Sequence, residues 1–151
     1  MLVVKAPDSF SLLKPTVFLA GSIEMGKAVD WQTELTNSLS HLDITILNPR
    51  RDDWDSSWEQ TIKNEQFKTQ VRWELTALEQ ADIIAMYFDP TTKSPISLLE
   101  LGIFAKTGKL IVCCPEGFWR KGNVDIVCAE YGITQVKDLS DMKFRIIERI
   151  R

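Results

Sequence analysis

Ile83-Ile84-Ala85-Met86-Tyr87-Phe88-Asp89-Pro90, followed by Ser94-Pro95-Ile96-Ser97-Leu98-Leu99-Glu100-Leu101-Gly102, is the stretch that decides the fold. Six apolar residues in a row read as a buried strand, which Asp89-Pro90 ends. Ser94 at the N-cap and Pro95 at the first helical position open a helix that runs to about Lys106, with Gly108 just past its end. In open α/β sheets ligands bind where strands end and helices begin. Glu100 therefore stands one to two turns into a helix whose free backbone N–H groups, over Ser94 to Ser97, favour an anion.

The same alternation extends in both directions. Thr16–Ala20 is a strand ended by Gly21-Ser22. A helix is expected over about Ala28–Leu39, because Trp31, Leu35 and Leu39 share one face. Ile44–Leu47 is a second strand, closed by Asn48-Pro49. Ser56 and Glu59 have capping-box spacing, so a helix start is expected there. Helices follow over about Asn64–Gln80, Val124–Glu130 and Ser140–Ile150, and strands over Leu110–Cys114 and Ile133–Val136. Val3-Val4 either pairs at a sheet edge or packs on the surface. Strands that alternate with helices argue an α/β fold: a doubly wound parallel sheet of about five strands with helices on both faces. No repeat, linker or low-complexity stretch divides residues 1–151, so one domain is expected.

The composition narrows the function classes. Eighteen Lys and Arg against 21 Asp and Glu give a formal net charge of −3, which excludes the basic footprint of a nucleic-acid polymer binder. Cys113 and Cys114 are adjacent in a strand, and with Cys128 the count is odd, so the three read as small buried hydrophobes. His41 is the sole histidine and no Cys-x-x-Cys occurs, so neither a zinc site nor a Ser-His-Asp triad is expected. No metal and no cofactor are called for. No stretch approaches a membrane span, and Met1–Pro7 lacks a signal-peptide layout, so the expected compartment is the cytoplasm.

The residues that carry chemistry gather at strand ends. If the strands ending at Ala20 and Phe88 are neighbours, Gly21-Ser22 lies beside Asp89 and Ser94. These loops read either as an anion cradle or as ordinary turns and caps. Glu100 reads either as part of a solvent stripe or as a nucleophile among apolar neighbours, aimed at an oxocarbenium-like carbon. Asp89 and Glu74 come from segments that converge on the same cleft. Three carboxylates in one site would raise at least one pKa and so supply a general acid. Arg50, beside Arg51, is able to hold one phosphate. Trp54 and Trp58 stand in the polar run Asp52–Trp58, where a base-stacking lid explains them better than a core does.

Three segments, Phe18-Leu19-Ala20-Gly21-Ser22, Ala81-Asp82-Ile83-Ile84 and Ser94 with Glu100-Leu101-Gly102, together resemble the nucleoside 2-deoxyribosyltransferase superfamily, over roughly residues 16–115. Asn48-Pro49-Arg50-Arg51 with Trp54, and Pro115–Arg120, resemble its nucleoside 2-deoxyribosyltransferase-like branch. The resemblance implies a flavodoxin-like sandwich. It implies that Glu100 attacks the anomeric carbon of a deoxyribosyl unit. It places Glu74 at an acidic position that holds or protonates the substrate, although the family usually has aspartate there. Asp89 matches a second acidic position. Phe18, Gly21, Ser22, Ser94 and Ser97 fall in the substrate-binding loops, with Ser22 and Ser94 toward a phosphate. The loop before Glu100 lacks the glycines that many members carry. Family sites borrow a residue from a neighbouring subunit, which implies a homo-oligomer and makes Asn123 or Arg120 the candidate contribution.

The sequence therefore points to an enzyme that cleaves or transfers the N-glycosidic bond of a (deoxy)nucleoside or its 5′-monophosphate, with Arg50, Ser22 and Ser94 leaning toward the phosphorylated form. Hydrolysis and transfer both remain open. The rivals are a nucleotide-binding sensor without turnover and a hydrolase of another ribosyl linkage, such as that in NAD.

Overall fold

Four apolar runs, buried on both faces, form the centre of a parallel sheet. The computed structural model describes residues 1–24 and 28–151. Its strands are β1 (Leu2–Lys5), β2 (Thr16–Gly21), β3 (Thr45–Asn48), β4 (Ile83–Tyr87), β5 (Leu110–Cys113) and β6 (Thr134–Val136), in the order β1-β3-β2-β4-β5-β6, every pair parallel. The helices are α1 (Trp31–Ser38), α2 (Glu65–Gln80), α3 (Pro95–Phe104), α4 (Lys121–Glu130) and α5 (Leu139–Ile150).

Alternate residues of each strand serve opposite layers, because side chains alternate across a sheet. Phe18 and Ala20 of β2, with Ile84 and Met86 of β4, pack against Trp73, Ala77, Leu101, Phe104, Val124 and Cys128, so α2, α3 and α4 cover one face. Val17, Leu19 and Ala85 pack against Trp31, Leu35, Met142 and Ile146, so α1 and α5 cover the other. The three thiols lie in these layers, and burial pushes them up to about 11 for Cys114 and about 12 for Cys113 and Cys128. They are inert packing groups at neutral pH. No helix among the described residues is long and apolar enough to cross a membrane.

The structure settles one local alternative and changes two expectations. The Val3-Val4 segment is a sixth strand, paired with β3 from Leu2↔Thr45 to Lys5↔Asn48. No helix starts at Ser56, because Asp55 takes the Ser57 N–H (2.9 Å) and hydroxyl (2.6 Å) into a side-chain-closed turn. The helix begins after Asn64, whose side chain accepts from the Phe67 N–H. Likewise α1 begins at Trp31 behind the Asp30 cap rather than at Ala28.

The topology fixes where a ligand can bind. From β2 the chain moves outward to β3, and from β4 it moves the opposite way to β5, so the β2–β4 boundary is the switch point. β2 ends there at Gly21, paired with Tyr87 at φ 129°. A Cβ on Gly21 would lie 2.1 Å from the Tyr87 carbonyl oxygen, so only glycine lets the two backbones meet. Gly21→Ala is expected to lose about 3 kcal/mol of stability or more in urea unfolding. A loss under about 1 kcal/mol would show that the strand end relaxes freely.

Candidate active site

Beyond Gly21 and Tyr87 the polar groups of the two strand ends tie to each other. The Ser22 N–H donates to the Tyr87 carbonyl (2.9 Å), and the Asp89 N–H donates to Ser22 Oγ (2.8 Å). Ser22 Oγ also lies 2.5 Å from Ser94 Oγ and 2.9 Å from Thr92 Oγ1, and these last two are 2.8 Å apart. All three hydroxyls are buried. The sequence expectation that Gly21-Ser22 lies beside Asp89 and Ser94 is met. The Ser22 and Ser94 hydroxyls, expected at a phosphate, bond here to each other and to Thr92.

Asp89 is likewise consumed internally. Its Oδ2 accepts the Val29 N–H (2.9 Å), and its Oδ1 accepts both the N–H and the hydroxyl of Thr91 (2.9 and 2.8 Å). Burial alone would raise its pKa, but these hydrogen bonds outweigh it and hold the carboxyl below its ordinary value. These hydrogen bonds favour the ionised form of Asp89 and tie it to the segments before α1 and α3. Arg50 is drawn into the same scaffold. Its guanidinium donates to the carbonyls of Ala28 (3.2 Å) and Val29 (3.1 Å) and to Gln32 (3.3 Å), with Asp30 at 3.9 Å. These bonds hold the approach to α1.

Glu100 behaves oppositely. It is 8% exposed and makes no hydrogen bond among the described residues. Its helix explains the burial: Ser97, Glu100, Leu101 and Phe104 form the inward face of α3. Ser97 precedes Glu100 by three residues and so shares its side of the helix. On α2 stands Glu74, whose Oε1 accepts from Gln70 Nε2 at 3.2 Å. Gln70 Nε2 also donates to the Pro49 carbonyl at 3.1 Å, so the amide is locked with its nitrogen toward Glu74. Burial, and then the Glu74 charge, push Glu100 up to about 8. Burial pushes Glu74 up to about 7, against the lowering effect of Gln70. Both carboxyls are thus raised toward neutral pH, and the Glu74 charge is felt at Glu100.

The remaining candidates are dispersed. Phe18 is buried against Trp73, ring centroids 6.2 Å apart, and belongs to the core rather than to a ligand surface. Trp54 is half-buried, edge-on to Trp58 at 5.0 Å, and Arg51 lies 5.1 Å over the Trp58 ring. Asn123 is exposed in a groove between α3 and α4, with Leu98, Gly102 and Trp119. Leu98 and Gly102 point roughly 160° around α3 from Glu100, at 3.6 residues per turn, so Asn123 does not serve the Glu100 of its own chain. Two residues went unassigned in the sequence. Gln70 carries a signal, four residues before Glu74. Glu24 carries none beyond following Gly21-Ser22; its Oε1 accepts the Lys93 and Ser94 N–H groups, both at 2.6 Å.

Comparisons with known proteins fit this geometry. The model of a family described as "Nucleoside 2-deoxyribosyltransferase like" matches residues 14–118, which include β2 to β5, Glu74 and Glu100. No curated protein matches the sequence. A crystal structure of a conserved protein from Enterococcus faecalis V583 superposes with a TM-score of 0.64 at 12% identity, over 90% of this chain and 99% of that one. That likeness shows the shared fold.

The raised carboxyls have a consequence for stability. Between the ordinary value of 4.5 and the folded values near 7 and 8, the folded protein holds protons that the unfolded chain releases. Stability must therefore fall as pH rises through that window. Glu100→Gln, which removes one buried charge, is expected to raise Tm above wild type at pH 8, equivalent to on the order of 2 kcal/mol. That gain should vanish near pH 5. An equal Tm difference at both pH values would show that Glu100 is not enclosed.

Proposed function

The chain belongs to the nucleoside 2-deoxyribosyltransferase-like family, and from that premise we propose that it breaks the N-glycosidic bond of a (deoxy)nucleoside or nucleoside 5′-monophosphate through Glu100. The supporting observation is the buried Glu100 carboxylate, raised by its burial and by the charge of the half-buried Glu74. Glu100 as carboxylate attacks the anomeric carbon, the bond from that carbon to the base nitrogen breaks, and Glu74 protonates the departing base. Water or a second base then attacks the glycosyl ester and frees Glu100. Catalysis needs the proton on Glu74 and the charge on Glu100, and the positive charge developing at the sugar favours that arrangement beside Glu100. Trp54 remains the candidate for covering the base.

Base release from deoxyribonucleosides, their 5′-monophosphates and NAD tests this reading. Glu100→Ala is expected to lower turnover by several orders of magnitude, and retention of more than about a tenth of wild-type activity would refute the nucleophile. The wild-type kcat/KM profile is expected to be a bell with limbs near pH 7 and 8. Glu74→Gln should abolish the basic limb and leave a single acidic limb, the ionisation of Glu100. An unchanged profile removes Glu74 as acid. Tight binding of the same compounds without turnover would identify a sensor module.

We also propose that the working form is a homo-oligomer built on α3. This helix buries Leu101 and Phe104 with its carboxylate, yet Ile96, Leu99 and Ile103, 60%, 60% and 52% exposed, form an outward apolar stripe. Helices apolar on all sides belong in interiors. The stripe carries no charge, so two copies meet there without like-charge repulsion. Ile96 and Ile103 flank Glu100 one turn on either side, so a second copy would close the site and bring its Asn123 near it. Leu99→Glu is expected to shift sedimentation from oligomer to monomer and to lower kcat. Wild type that sediments as a monomer at micromolar concentration would exclude this.

A further inference from the structure

The switch point offers one slot for an anion, and the chain fills that slot itself. The N–H groups of Lys93 and Ser94 converge just before α3, at the positive end of a ten-residue helix. Both donate to the same oxygen, Glu24 Oε1, at 2.6 Å. Glu24 comes from the segment after β2 and holds φ at 43°, and Ser94 holds φ at 48°. These left-handed conformations are what turn the carboxylate and the two N–H groups toward one another.

A second and independent set of contacts points the same way. A phosphate dianion at this position would need cations or hydroxyls around it, and the nearby ones are engaged elsewhere. The Lys93 ammonium lies 4.4 Å from the Trp119 ring centroid, and the Arg120 guanidinium lies 4.4 Å from the same ring. The Trp119 indole N–H donates to the Lys93 carbonyl at 2.8 Å, which fastens that stack to the loop. Arg50 is spent on the carbonyls of Ala28 and Val29. The Ser22, Thr92 and Ser94 hydroxyls are closed into their own triangle.

We propose that Glu24 is a specificity-determining residue that occupies the anion slot before α3 and restricts the enzyme to unphosphorylated nucleosides. A phosphate and a carboxylate cannot share two N–H donors, and their like charges repel in the partly desolvated loop. A neutral 5′-hydroxymethyl group meets no such repulsion. Its hydroxyl is a donor, and Glu24 Oε2 retains the lone pairs to accept it. The proposal rests on the N-glycosidic reading above and narrows its substrate class.

The test compares 2′-deoxynucleosides with their 5′-monophosphates in wild type, Glu24→Gln and Glu24→Ala. Wild type is expected to show higher kcat/KM on the nucleoside. Both variants should raise the monophosphate-to-nucleoside ratio of kcat/KM about tenfold or more, a shift of about 1.4 kcal/mol. A wild-type preference for the monophosphate, or a ratio unmoved by either variant, overturns the proposal. A second measurement needs no turnover. Inorganic phosphate, compared with chloride at equal ionic strength, should raise the Tm of Glu24→Ala and leave wild type unmoved. Phosphate that stabilises wild type as much as the variant refutes the filled slot. Absence of base release in every form, with the phosphate effect confined to the variant, would refute the N-glycosidic reading and leave the slot assignment standing.

Discussion

The pairing of Gly21 with Tyr87, continued by Ser22, is the constraint on which the site depends. It brings β2 and β4 into register up to their last residues, and only a glycine permits that approach. One residue further on, Ser22 Oγ accepts the Asp89 N–H, so the loop that launches α3 is tied to the end of β2. The direction of α3 follows from that tie, and the position of Glu100 follows from the direction of α3. Asp89 completes the tie by accepting from Val29 ahead of α1. The polar residues of the switch point are therefore scaffold first, and what remains for chemistry is the raised carboxyls of Glu74 and Glu100.

That division explains the uneven electrostatics. Asp89 and Glu100 stand in neighbouring elements, yet one pKa is lowered and the other raised. Both suffer desolvation; they differ in the number of donors and in the Glu74 charge, which acts on Glu100. Asp89 receives three, from two backbone N–H groups and a hydroxyl, and Glu100 receives none among the described residues. Glu74 is intermediate, with the single donor Gln70. A buried carboxylate without donors is costly in a folded protein, and it is the state in which a carboxylate is most reactive toward a cationic carbon.

The outside of α3 presents the complementary anomaly. Its inward face mixes Ser97 and Glu100 with Leu101 and Phe104, and its outward face holds Ile96, Leu99 and Ile103. An amphipathic surface helix normally keeps its outward face polar and its inward face free of carboxylates. Both features have one cause if the helix is a site wall within and a contact surface without. The groove that α3 forms with α4, lined by Leu98, Gly102, Trp119 and Asn123, continues that apolar surface.

Much of this was legible in the sequence. The apolar runs at Thr16–Ala20, Ile83–Phe88 and Leu110–Cys114 specify buried strands, because nothing else accommodates short runs apolar at every position between turn residues. The Ser94-Pro95 start and the spacing to Glu100 place a carboxylate on the first turns of a helix, since local propensity and capping act within a few residues. Local pattern does not decide partners. Ser22, Ser94, Asp89 and Arg50 have the chemistry of ligand-binding groups, and only the tertiary structure shows that each bonds to another part of the chain, 60 or more residues away for Asp89 and Ser22. The same holds for Glu24, which nothing nearby distinguishes from a solvated glutamate, and for Glu74, whose elevated pKa depends on burial. Hydrogen bonds and desolvation are properties of atoms brought together from distant segments, so the fold was written in short-range pattern and the roles of the polar residues were settled by their three-dimensional neighbours.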